Sequence, residues 1–108
     1  MLTLKDIELA HERIRPFIHR TPILTNSSLN KLAGAELFFK CENFQKAGSF
    51  KIRGATNTVE LLSDSELKRG IATTSSGNHG AALSMAVSRR GGSTKVVMPH
   101  NTPKIKVE

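Results

Sequence analysis

The chain has 108 residues, a net charge of +7 and 38% hydrophobic residues, enough for one small domain with its own core and with no apolar run near the roughly 18 residues of a membrane span. A single cysteine, Cys41, excludes an intramolecular disulfide framework and fits a reducing cytoplasm. The charge is spread thinly, +4 over residues 1–54 and +3 over residues 55–108, and no Trp, Tyr, zinc spacing or recognition-helix pattern accompanies it, which argues against a nucleic-acid partner.

Met1 to Ala10 carries Asp6 and Glu8 and no long apolar core, so it does not read as a secretory signal. Thr3, with Asp6 three residues on, predicts the start of a helix whose apolar stripe is Leu4, Ile7, His11 and Ile14, ended or bent at Pro16. A polar link through Thr21-Pro22 leads to a short helix over Ser27 to Ala33, stopped by Gly34, and then to a strand over Glu36 to Glu42. Gly48-Ser49 predicts the next helix start, after which Ala55, Val59 and Leu62 share one face. Ile71 to Thr74 is β-prone, Asn78 to Arg90 is an alanine-rich helix stopped by Gly91-Gly92, and Lys95 to Met98 is a second strand. These last elements form a parallel βαβ unit, so the fold class is α/β. Thr102-Pro103 predicts the opening of one more helix, and with no further layer to cover the sheet we expect the chain to be the front part of a longer protein.

Two hexapeptides carry the chemistry. In Ser49-Phe50-Lys51-Ile52-Arg53-Gly54 a lysine falls in the first turn of a helix, where the positive end of the helix dipole favours the neutral, nucleophilic amine suited to attack on carbonyls. Ser75-Ser76-Gly77-Asn78-His79-Gly80 is a small, polar turn between strand and helix, at the carboxyl edge of the sheet where open α/β folds bind ligands. Its backbone N–H groups suit a carboxylate or a phosphate. The bland roles remain open beside these: Lys51 as a solvated lysine, Ser75 and Ser76 as helix caps, Asn78 and His79 as first-turn surface residues. His11, His19 and His100 lack metal-ligand spacing, and Cys41 reads as a packed strand residue.

With both hexapeptides in order, and with Arg20-Thr21-Pro22 and Phe39-Lys40-Cys41-Glu42-Asn43-Phe44-Gln45 before them, the chain resembles the N-terminal part of the fold-type II pyridoxal-phosphate enzymes, in the threonine/serine dehydratase and serine racemase group, from about Lys5 to Glu108. Related sulfhydrylases and cystathionine synthases typically carry Thr-Ser-Gly-Asn-Thr-Gly in the second turn, so His79 favours the dehydratase and racemase branch. The resemblance implies that Lys51 forms the imine with pyridoxal phosphate, that Phe50 packs on the cofactor ring, and that Asn78 hydrogen-bonds its phenolic oxygen. It further implies that Ser75, Ser76, Asn78 and His79 hold the carboxylate of a hydroxy amino acid, threonine or serine, with Ser76 exchanging a proton on the opposite face.

The implied reaction is dehydration to a 2-oxo acid and ammonia, with serine racemisation as the alternative and a non-catalytic truncated remnant as the third reading. A homo-oligomer in the full-length form, no membrane and no metal among these residues complete the implied picture. The family's later glycine-rich phosphate loop has no counterpart here, so residues 1–108 are expected to be an incomplete N-terminal part, inactive alone.

Overall fold

In the computed structural model, which describes residues 1–103, Thr3 opens helix α1 (Leu4–Ile14). The Asp6 N–H donates to the Thr3 hydroxyl at 3.3 Å and the Thr3 N–H donates to the Asp6 carboxylate at 2.8 Å. This capping box satisfies donors that a helix start leaves open. Ile14 is buried, whereas Leu4 and Ile7 of the expected stripe are 71% and 54% exposed, so α1 packs by its C-terminal end only. Pro16, in a 3-10 turn over Arg15–Phe17, ends the helix as expected.

Strand β1 (Ile23–Leu24) pairs antiparallel with β2 (Phe39–Lys40), and α2 (Ser27–Ala33) lies between them in the chain. Asn26 caps α2 by accepting from the Leu29 N–H, and Gly34 closes it in the left-handed conformation at φ 63°. The strand expected over Glu36 to Glu42 is therefore only two residues long, because its partner has two residues and a 3-10 turn (Glu42–Phe44) starts at its end.

Helices α3 (Lys51–Leu61) and α4 (Asp64–Lys68), strand β3 (Ile71–Thr74), helix α5 (Asn78–Arg89) and strand β4 (Thr94–Val97) follow. The pair β3–β4 is parallel, Ile71 opposite Thr94 and Thr74 opposite Val97, with α5 as the crossover. The expected βαβ unit is thus present. Helix α4 is an addition to the elements expected from the sequence, although Ser63 and Glu66 form a second capping box in front of it.

The core is the contact of α3 with α5. Ile52, Ala55 and Val59 supply the helical stripe of α3, Ala82, Leu83, Ala86 and Val87 that of α5, and Leu67 closes one end. Small residues on α5 let the two backbones approach closely. Arg90, beyond the end of α5, donates to Val59 O at 2.6 Å and Leu62 O at 2.8 Å and pairs with Asp64 at 2.9 Å. One side chain thereby meets two carbonyls at the end of α3, of which Val59 O also accepts from the Leu62 N–H at 3.2 Å. No described helix is long and apolar enough to cross a membrane. The helix expected after Thr102-Pro103 lies outside the described residues.

Candidate active site

The backbone enters α3 through two successive left-handed residues, Ala47 at φ 59° and Gly48 at φ 66°. For a residue with a Cβ this costs about 1–2 kcal/mol, and here Ala47 packs against the core. Ser49 follows, buried and with its hydroxyl unpartnered. The expected start at Gly48-Ser49 is therefore displaced: Phe50 is the N-cap, without a side-chain capping bond, and Lys51 is the first helical residue. Ser49 does not cap, so the first turn beside Lys51 keeps donors without a side-chain acceptor. Lys51 is exposed, with Nζ 5.0 Å from the centroid of the Phe50 ring.

The second hexapeptide starts at the end of β3. The Ser75 N–H donates to Val97 O at 3.0 Å, which carries the parallel ladder one residue past the strand. The Ser75 hydroxyl accepts from the Gly77 N–H at 3.3 Å and the Gly80 N–H at 3.0 Å, so it caps the start of α5 from outside. A Cβ on Gly80 would stand 3.0 Å from Val96 Cγ1 and 3.4 Å from Ser75 Cβ. A glycine there lets the first turn of α5 sit down on the sheet and reach Ser75.

Between α3, β3 and α5 runs an open groove of about 530 Å³, within the size range of small-molecule sites. Lys51, Gly54, Ala55 and Thr58 form its α3 wall at helical spacing, Ile71 to Thr73 its β3 wall, and His79 and Leu83 its α5 wall. The structure thus brings Phe50, Lys51 and His79 together. Ser75, Ser76 and Asn78 stand outside that lining, on the adjoining loop at the carboxyl edge, with Ser76 and Asn78 exposed. Thr58 and Leu83 were missed as wall residues, although Lys51 to Thr58 and His79 to Leu83 are spacings of seven and four along one helix face each.

Gly54 is the most telling position in the wall. It lies inside α3, where glycine costs about 1 kcal/mol relative to alanine, yet nothing lies within 4 Å of the place its Cβ would take. The helix gives up stability at a position that lines this groove and also the smaller concavity between α1 and α3. A ligand in this groove would have the Lys51 side chain and the Gly54 backbone in the same wall.

Behind the groove, Arg53 makes a two-pronged pair with Glu42, Nε to Oε2 at 2.8 Å and Nη2 to Oε1 at 2.7 Å. The Thr21 hydroxyl adds a 2.5 Å bond to Oε1. The Arg53 bonds hold the Glu42 carboxyl down at about 2, with smaller contributions from Thr21 and Lys40 and against the opposing effect of burial. The same bonds raise the Arg53 guanidinium above its ordinary value. No pattern in the sequence pairs these two residues.

The chain matches the family described as "Pyridoxal-phosphate dependent enzyme" over residues 14–108. It is 56% identical over 106 residues to a serine racemase of Dictyostelium discoideum, covering 98% of this chain and 33% of that one. It is also 56% identical over 104 residues to a beta-hydroxyaspartate dehydratase of Paracoccus denitrificans, covering 96% and 33%. The crystal structure of a threonine deaminase from T.th. superposes with a TM-score of 0.87 at 40% identity, over 98% of this chain and 33% of that one. The chain therefore spans about a third of the length of the relatives it matches.

Proposed function

Because the chain belongs to the pyridoxal-phosphate dependent enzyme family, we propose that the protein carrying it dehydrates a small hydroxy amino acid, threonine or serine, to a 2-oxo acid and ammonia, with Lys51 as the covalent anchor of pyridoxal phosphate. The observation that carries this reading is the groove that Lys51, Phe50 and His79 share. Pyridoxal phosphate, when bound, supplies an electron sink for negative charge at the substrate Cα.

The chain's own residues do the rest. Lys51 Nζ would hold the group covalently and, as a free amine, would take the proton from the substrate Cα. Phe50 and Gly54 line the groove that would hold the ring, and Asn78 would donate to its phenolic oxygen. The loop of Ser76, Asn78 and His79 holds the substrate carboxylate at the start of α5, where the helix dipole favours an anion. Ser75 keeps that loop in shape through its bonds to Gly77 and Gly80. The Ser76 hydroxyl moves a proton at the opposite face of Cα, and this makes racemisation of serine the second reading. The serine racemases among the relatives favour it.

Two measurements test this. With the cofactor-loaded protein, L-threonine and L-serine are incubated separately, and 2-oxo acid and enantiomer ratio are followed together. Formation of 2-oxo acid supports dehydration, D-serine without 2-oxo acid moves the assignment to racemisation, and neither product sinks both. Gly54→Ala probes the wall: it is expected to raise stability by up to about 1 kcal/mol while weakening cofactor capture. Urea titration and spectroscopic cofactor binding read the two effects, and unchanged capture would remove Gly54 from the site.

A further inference from the structure

The chain's cations look scattered in the sequence, but the fold gathers four of them. Arg15, Arg20, Lys40 and Arg53 converge with His11 and His19 on a second concavity of about 540 Å³, which no carboxylate lines among the described residues. It borders the first groove, since Arg53 lines both.

Lys40 and His19 are held in place. Lys40 Nζ donates to Thr21 O at 2.7 Å. The buried Gln45 side chain accepts from the His19 N–H and donates to His19 O, both at 2.8 Å, as a neighbouring strand would. His19 Nδ1 stands 3.1 Å from Phe44 O; a carbonyl only accepts, so Nδ1 carries the hydrogen and the ring is fixed. Arg20-Thr21-Pro22, conspicuous in the sequence, thus builds this wall through Thr21, which holds Lys40 by its carbonyl and Glu42 by its hydroxyl.

The charges do not cancel where they meet. Glu42 offsets Arg53, but Glu12 reaches Arg15 only as an exposed pair at 3.3 Å, of a kind that contributes little. Arg20 is in no ion pair among the described residues. Like charges focused by a concave wall repel one another and attract counter-charge, and guanidinium forks match oxyanions with paired hydrogen bonds.

We propose that this cavity is a binding site for a small multivalent oxyanion of the diphosphate type, separate from the Lys51 groove. Calorimetric titration of the full chain with inorganic pyrophosphate at constant ionic strength is expected to show saturable binding, about tenfold tighter than orthophosphate. Citrate, run in parallel, separates a phosphoryl ligand from a carboxylate one: weaker citrate binding supports the diphosphate assignment and tighter citrate binding overturns it. The double variant R15Q/R20Q is expected to lose about tenfold or more in pyrophosphate affinity. The double variant K5Q/K31Q, which removes the same net charge outside the cavity, should change it by less than about twofold. Lys51→Ala should leave it unchanged, which keeps this site distinct from the groove. Equal losses in the two double variants, loss in Lys51→Ala, or no saturation would each overturn the proposal. All these side chains are exposed, and circular dichroism checks that the variants fold.

Discussion

Reduction with borohydride in the presence of pyridoxal phosphate is expected to place the pyridoxyl group on Lys51 in preference to the other lysines of the chain, by about tenfold. The chain offers nine lysines, so peptide mapping by mass spectrometry provides its own internal comparison. The preference follows from position. Lys51 stands at the first turn of α3, in a groove with apolar walls from Ala55, Ile71 and Leu83, where both the helix dipole and an aromatic ring favour docking of a flat, anionic aldehyde. Lys51→Arg keeps the charge and loses the label, with little effect on stability because the side chain is exposed. In the cofactor-loaded protein, Lys51→Ala is expected to lower kcat by about 10³-fold, the scale of a lost proton-transfer group. Labelling spread evenly over the lysines would remove Lys51 from the anchor role and, with it, the proposed function.

Glu42→Gln is the second large effect, and it is one of stability. It removes the carboxylate charge and one of the two acceptors that Arg53 uses, leaving a single bond to a neutral amide oxygen that is weaker than a bond to a carboxylate. The side chains of Arg53 and Glu42 retain 27% and 18% exposure, so water softens the loss relative to a fully buried pair. The expected cost at pH 7 is about 2 kcal/mol by urea denaturation. The sign of the pH dependence follows from the carboxyl being held at about 2 in the fold against 4.5 for a free glutamate. The stabilisation is complete above the ordinary glutamate range and is lost as pH falls from there through about 2. At pH 3, roughly half or less of the difference between the parent chain and Glu42→Gln should remain. An undiminished difference at that pH would show that the charge of Glu42 is not what holds Arg53.

Sequence signals are legible in this chain where the structure they specify is also local. Asn26 and Gly34 bound α2 at the residues expected because cap and left-handed turn are each made by one residue and its near neighbours. The parallel β3–α5–β4 unit is legible for the same reason, since apolar period and the Gly91-Gly92 stop are properties of short windows. What fails depends on distant partners. The strand expected over Glu36 to Glu42 is cut to Phe39–Lys40 by a two-residue β1 that no local pattern announces.

At the site, the lysine and serine turns stand out because each is one continuous motif, and Thr58 and Leu83 are recoverable from helical spacing. The Glu42–Arg53 pair and the cationic cavity are not, because their residues come from separate segments and meet only through the fold. Ser49 shows the limit from the other side: its type suits a cap, but the two left-handed residues before it deliver it into the interior instead.

The Arg90 clamp joins the end of α3 to the end of α5. The carbonyls of Val59 and Leu62 receive a side chain that arrives from beyond α5, in addition to the local bond from the Leu62 N–H to Val59 O. The two Arg90 bonds exist only where α5 lies against α3, so they tie the end of α3 to the packing of the βαβ unit. Lys51 stands at the opposite end of the same helix, so the helix that carries it is fastened at its far end by a residue from beyond α5.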